Sequence, residues 1–185
     1  MIDRRDALGG IVAMFGAALF APIARAASVK IPAIDTGPPS AAVFTDAQRA
    51  LVSALSERVI PTTDTPGAIA AEVPQFIEKL LADWAMPEDK APILAGLDAI
   101  EARSRRDYGV TAAEVTPERQ DALLTLAMDD ALPGGADFFD RFRQLVITGY
   151  YTSEIGIMQE REYLPVPGHY DGHYPYTADQ KVFSS

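Results

Sequence analysis

The sequence predicts an all-α domain: a compact bundle of about five main helices that ends in an irregular tail rich in aromatic residues, proline and glycine. Three observations predict it. Apolar residues recur at three- and four-residue spacing in five separate windows. Short Pro/Gly connections divide those windows. No window alternates apolar with polar residues for long enough to make a convincing strand, and there is no internal repeat.

Each helix has its own signals. Thr45 and Gln48 have capping-box spacing, in which the threonine oxygen takes an orphan amide and the glutamine reaches back. Leu51, Val52, Leu55 and Val59 then share a face, and Pro61 ends the run. Residues 61–67 form a turn-rich loop closed by Pro66-Gly67. Pro74 opens a second helix whose Phe76, Ile77, Leu80, Leu81 and Trp84 have helical spacing and are expected in the core. Pro87, Glu88 and Asp89 start a third, with acids where the helix dipole favours them. Ile93, Leu97 and Ile100 form its buried stripe, Arg103, Arg105 and Arg106 lie near its end, and Gly109 stops it. Thr116-Pro117-Glu118 combines a cap, a first-turn proline and an acid. The face of this fourth helix is Ala122, Leu123, Leu126 and Ala127. Pro133-Gly134-Gly135 breaks the chain before a fifth helix with Phe138, Phe139, Phe142, Leu145, Val146 and Tyr150.

The N-terminus has the anatomy of an export signal. Arg4-Arg5 precede an apolar run from Ala7 to Ala24, and Ala24-Arg25-Ala26 is a cleavage pattern ending at Ala26. Residues 1–26 are therefore expected to be a twin-arginine signal, a route that carries folded proteins. The alternatives are an ordinary secretory signal and a membrane anchor. The anchor is disfavoured by a run of about 18 residues rich in Ala and Gly. Residues 27–43, with Pro32, Gly37, Pro38 and Pro39, read as an extended linker, and residues 44–185 as the domain, with its tail at 150–185.

Composition narrows the function. The chain has a net charge of −10 and no cysteine. Residues 1–26 hold three arginines and two aspartates, so the remainder is one unit more negative, about −11. Such a chain is a poor match for nucleic acid or an anionic membrane. Disulfides, zinc–cysteine sites, iron–sulfur clusters and covalent c-type haem are excluded as self-contained features. Dinucleotide, P-loop, H-E-x-x-H and G-x-S-x-G motifs are absent. His169, Asp171 and His173 could hold a metal. The surrounding prolines and glycines argue against the helix that would aim both imidazoles one way.

The tail differs in character. Tyr150, Tyr151, Tyr163, Tyr170, Tyr174 and Tyr176 are six of the seven tyrosines. Tyrosine is favoured where one end must be dry and the other can hydrogen-bond, and it is enriched at interfaces. The tail either wraps its own domain or lies on a partner.

Several segments together resemble the gluconate 2-dehydrogenase subunit 3 family. They are Phe44, Thr45 and Gln48; Val59-Ile60-Pro61 with Thr63 to Ala68; Val73-Pro74 with Phe76-Ile77; Gly149 to Gly156; and Tyr163, Pro165 to Gly168 and Tyr170 to Gly172. The resemblance runs from about Phe44 to Gly172. It implies a non-catalytic small subunit that holds no cofactor itself. The implied partners are an FAD-dependent GMC-type large subunit and a multihaem cytochrome c subunit carrying haem c. The implied place is the periplasmic face of the inner membrane, with membrane contact only through the complex. The implied role is twin-arginine co-export and assembly of the large subunit, for gluconate, fructose or another polyol. Some members of that family carry a cysteine after the Asp-Gly of the tail; His173 stands there, so a disulfide to the partner is not available. Tyr150, Tyr151, Glu154, Tyr163, Tyr170 and Asp171 are the expected partner contacts. A stand-alone helical binding module and a metal enzyme using His169, Asp171 and His173 are the alternatives.

Overall fold

A computed structural model describes residues 37–164, 168, 173, 177 and 181–184. The expected signal, with Arg4, Arg5 and Ala26, lies outside the described residues, as do His169, Tyr170 and Asp171. The described residues form five α-helices: α1 (Asp46–Val59), α2 (Val73–Asp83), α3 (Pro87–Tyr108), α4 (Pro117–Met128) and α5 (Gly135–Tyr151). A π-helix (Gly156–Glu160) and two two-residue strands follow. Strand β1 (Glu162–Tyr163) pairs in parallel with β2 (Phe183–Ser184), Glu162 opposite Phe183.

The expected starts and stops are in place. Thr45 and Gln48 make both bonds of the capping box. Pro74 and Pro87 sit in the first turns of α2 and α3. Gly109 ends α3 at φ 76°, and Gly134 precedes α5 at φ 66°, both left-handed conformations that glycine adopts without a Cβ penalty. Thr116 occupies the cap position of α4 but its side chain makes no capping bond. Its hydroxyl bonds to Glu118 instead and, after that residue's own backbone N–H, helps hold the Glu118 carboxyl below its ordinary range.

Helix α5 is the central element, packed against α2, α3 and α4, with α1 closing the bundle. Its inner row is Phe138, Phe142, Val146 and Tyr150, four residues apart and fully buried. The rings of Phe138 and Phe142 stack at 5.4 Å. Leu51 and Leu55 of α1, Ile77 and Leu81 of α2, and Ile93, Leu97 and Ile100 of α3 complete the centre. Each such side chain contributes about 1.5–3 kcal/mol relative to exposure.

Two helix faces differ from expectation. In α4 the buried set is Gln120, Leu123, Leu124 and Ala127, while Ala122 is exposed. The face is rotated because Gln120 turns inward and donates to the Ala112 and Ala113 carbonyls at 3.3 Å. In α2 the inner row is Val73, Ile77 and Leu81, and Trp84 is 53% exposed. The helix ends at Asp83, and Leu80 O accepts from both Trp84 N and Ala85 N, so the stripe stops before the tryptophan.

One acid sits inside. Glu78 is buried and takes a two-pronged bond from Arg49, Nε at 2.8 Å and Nη2 at 3.0 Å, which ties α2 to α1. The Arg49 bond, opposed by burial, holds the Glu78 carboxyl below its ordinary range. A lowered folded value means the stabilisation is complete above the ordinary glutamate range and lost as the pH falls through the folded value. Glu78→Gln is expected to lose about 2 kcal/mol at neutral pH. Its urea midpoint should also fall less than that of the wild type between about pH 6 and pH 3.

Candidate docking surface

The surface is built from the end of α5 outward. Tyr150 closes the inner row of that helix, and its phenol donates to the Pro66 carbonyl at 2.8 Å. Burial pushes that phenol up from its ordinary range. The loop it holds is organised by another acid. The Glu57 carboxylate accepts from Thr62 N (2.9 Å), Thr62 Oγ1 (2.7 Å) and Ile69 N (3.0 Å). Burial alone would raise the Glu57 carboxyl; the Ile69 and Thr62 bonds outweigh it and hold it low. Gly67 is required here, because a Cβ would stand 2.5 Å from Thr62 N and 2.6 Å from Glu57 Oε1.

The chain then folds back over the end of α5. Ser153 Oγ donates to Tyr150 O at 2.6 Å and accepts from Gly156 N at 3.1 Å. Arg161 N donates to Gly156 O at 3.1 Å, the five-residue bond of a π-turn. Thr65 Oγ1 donates to Glu160 Oε2 at 2.6 Å, joining the loop to the π-helix. Two of the segments that carry the family resemblance, 59–68 and 149–156, therefore meet here. Pro66, Gly67, Tyr150 and Gly156 take part in this junction, whereas Gly149 makes room for Phe76 of α2.

Around the junction lies an exposed strip of apolar side chains interspersed with Gln159, Glu162 and Lys181. Tyr151 is half-buried, edge-on to Tyr150 at 5.3 Å, with the Arg161 guanidinium 4.7 Å over its ring. Met158, Tyr163, Leu164 and Val182 are exposed at 54, 44, 37 and 61%. The β1–β2 ladder brings Val182 to Glu162, whose N–H donates to its carbonyl at 3.0 Å.

The expected contact residues divide accordingly. Tyr151, Glu154 and Tyr163 lie on this surface, with Glu154 exposed. Tyr150 does not: it is 1% exposed and faces the core, because the 3.6-residue period that places Phe142 and Val146 inside also places Tyr150 there. Tyr170 and Asp171 lie outside the described residues. His173 is exposed, and no group of three potential metal ligands occurs among the described residues. Met158 and Val182 were missed as surface candidates, and only the fold back over α5 would have shown them.

A second apolar exposure lies at the C-terminal end of α2. Trp84, Leu80, Ile93 and Leu145 line an open groove of about 740 Å³, rimmed by Asp89, Asp137, Asp140, Arg141 and Arg143. Arg141 bonds Asp137 at 2.8 Å and Asp89 at 3.4 Å, so the rim charges are largely paired with each other.

The Tyr150 bond has a measurable consequence. Tyr150→Phe keeps the packing but leaves the Pro66 carbonyl without its donor, an expected loss of about 1–2 kcal/mol in urea unfolding. Exchange at the Gly67 and Ile69 amides should rise more than in α3.

A family model described as gluconate 2-dehydrogenase subunit 3 matches residues 46–168. No curated protein and no solved structure matches the chain.

Proposed function

The chain belongs to the gluconate 2-dehydrogenase subunit 3 family, and on that premise we propose that it is the non-catalytic small subunit of a periplasmic, FAD-dependent dehydrogenase complex acting on gluconate, fructose or a related polyol. The family match, to a protein described as a subunit, carries this reading. The partner is a GMC-type flavoprotein that holds FAD and performs the oxidation. A multihaem cytochrome c subunit then accepts the electrons. This chain brings neither cofactor.

Its part is assembly. A twin-arginine signal at Arg4-Arg5 would export this chain already folded, with the flavoprotein attached. That arrangement accounts for a folded-export signal on a chain without nucleotide-binding motifs. The strip formed by Tyr151, Met158, Tyr163, Leu164 and Val182 supports a docking role, since rigid aromatic and methionine side chains are enriched where partners meet. An obligate complex buries on the order of 2,000 Å² or more, so this strip is one part of a larger contact.

The test is to tag the C-terminus, express the chain in its host and purify from periplasmic and membrane fractions. Co-purification of a larger subunit with a flavin band at roughly 450 nm is the expected result. Colourless, lone protein would return the stand-alone binding module to the front. In the same preparation, Tyr151→Ala and Tyr163→Ala together are expected to lower complex yield about tenfold or more, a hot-spot effect of roughly 1.4 kcal/mol or above. Unchanged yield would remove the strip from the interface.

A further inference from the structure

We propose that residues 38–43 form a strap latched onto α2 by two carboxylates, Glu78 and Asp83, and that the strap opens and closes as one unit about Phe44 while the helices stay folded. The expected linker is pinned along its last residues. Ser40 N donates to Asp83 Oδ1 at 2.9 Å, and Val43 N to Glu78 Oε1 at 3.3 Å. Lys79 Nζ donates to the Pro38 carbonyl at 3.3 Å and to Asp83 Oδ2 at 3.1 Å. From Ser40 at Asp83 to Val43 at Glu78 the strap runs back along the last turn and a half of the helix, while the long Lys79 side chain reaches the Pro38 carbonyl.

The chemistry is that of a latch. An extended segment without a strand partner leaves its amides without acceptors, and here two carboxylates supply them through charge-assisted bonds. The Ser40 bonds, joined by Lys79, hold the Asp83 carboxyl down at about 2. Arg49 from α1 fixes the other carboxylate, and Asp46 fixes Arg49 in turn. The two ends of the strap differ. Phe44 is 3% exposed, a fixed point in the core. Immediately after it the capping box closes α1 by itself, so release of the strap need not unravel that helix. Opening would add six residues, about 20 Å of extended chain, to whatever precedes Pro38. The latch rests on this geometry and is independent of the export reading, so either can fail alone.

Amide exchange on the full chain tests it. Asp83→Ala is expected to speed exchange at Ser40 and Val43 together, about tenfold or more, and to leave Phe44, Arg49, Leu51 and Leu55 unchanged. Asp83→Asn, which keeps an acceptor oxygen without the charge, is expected to fall between. Glu114→Ala, which removes an exposed carboxylate bonded to Thr111 and to no residue of the latch, should leave Ser40 at its wild-type rate. A response at Ser40 alone would overturn the single-unit strap. Unchanged exchange at both amides would overturn the latch. Equal acceleration at Leu51 and Leu55 would show global destabilisation instead, which also overturns it.

Discussion

Replacing Gly96 with alanine is expected to lower stability by about 2 kcal/mol, although alanine is the better helix former. Gly96 lies in α3 where α5 crosses it, and Phe138 sits directly on it. A Cβ at residue 96 would stand 2.1 Å from Phe138 Cγ and 2.5 Å from Phe138 Cβ. The second distance decides the sign. A clash with the far end of a flexible side chain could be relieved by a rotamer change, but a clash at Cβ moves with the backbone of α5. Phe138 is fully buried and stacked on Phe142, so it has no free space to enter. Overpacking of this kind costs about 1–3 kcal/mol or more, against a propensity gain of about 1 kcal/mol. The check is a double-mutant cycle in urea. Phe138→Ala alone should cost about 3–5 kcal/mol. In that background the Gly96→Ala penalty should shrink, because the ring clash is gone while the 2.5 Å approach to the residue 138 Cβ remains. A Gly96→Ala penalty of undiminished size without the Phe138 ring would show that the ring is not what residue 96 makes room for.

The second large effect concerns the surface and not the core. Gly156→Ala is expected to detach the π-helix from the end of α5 and to cut complex yield about tenfold or more. A Cβ at residue 156 would lie 2.0 Å from the Tyr150 carbonyl oxygen and 2.9 Å from Tyr151 Cα. Both are backbone atoms at the end of a buried helix and cannot give way, so the fold-back must. The bonds it carries would go with it: Ser153 to the Gly156 amide, Thr65 to Glu160, and Arg161 over Tyr151. The core row from Phe138 to Tyr150 lies upstream and is untouched. Tryptic cleavage after Arg161 should therefore accelerate about tenfold, while the thermal midpoint of the isolated chain falls by a few degrees, corresponding to about 1–2 kcal/mol. Wild-type cleavage kinetics with wild-type complex yield would mean that the fold-back is not what presents Tyr151 and Tyr163.

These two glycines carry different messages although both are conformationally ordinary, with neither at positive φ. Gly96 is a packing residue: it sets how closely two helices approach. Gly156 allows the chain to pass over a carbonyl and so decides whether the exposed strip exists. Neither role is visible in the local sequence, where each glycine is one small residue among apolar neighbours. Glu78 is a similar case. It interrupts an apolar stripe, yet it joins α1, α2 and the strap through Arg49, Val43 and Phe44.

Local chemistry by itself determined the number of helices, their starts and most of their ends. The capping box at Thr45 and Gln48, the first-turn prolines 74, 87 and 117, and the glycines at 109 and 134 act over at most four residues, and each was legible for that reason. The family resemblance was legible too, because its motifs are short and specific in combination. Only the tertiary structure decided what those elements cover. Periodicity says which residues share a face, but the neighbour and the point where a helix stops decide whether that face is wet. Trp84 falls outside because Leu80 O ends α2 one residue earlier. Tyr150 falls inside because α5 runs on through the core to reach a carbonyl 84 residues back in the chain. Contacts at that separation depend on the whole bundle closing, and no window of sequence contains both partners.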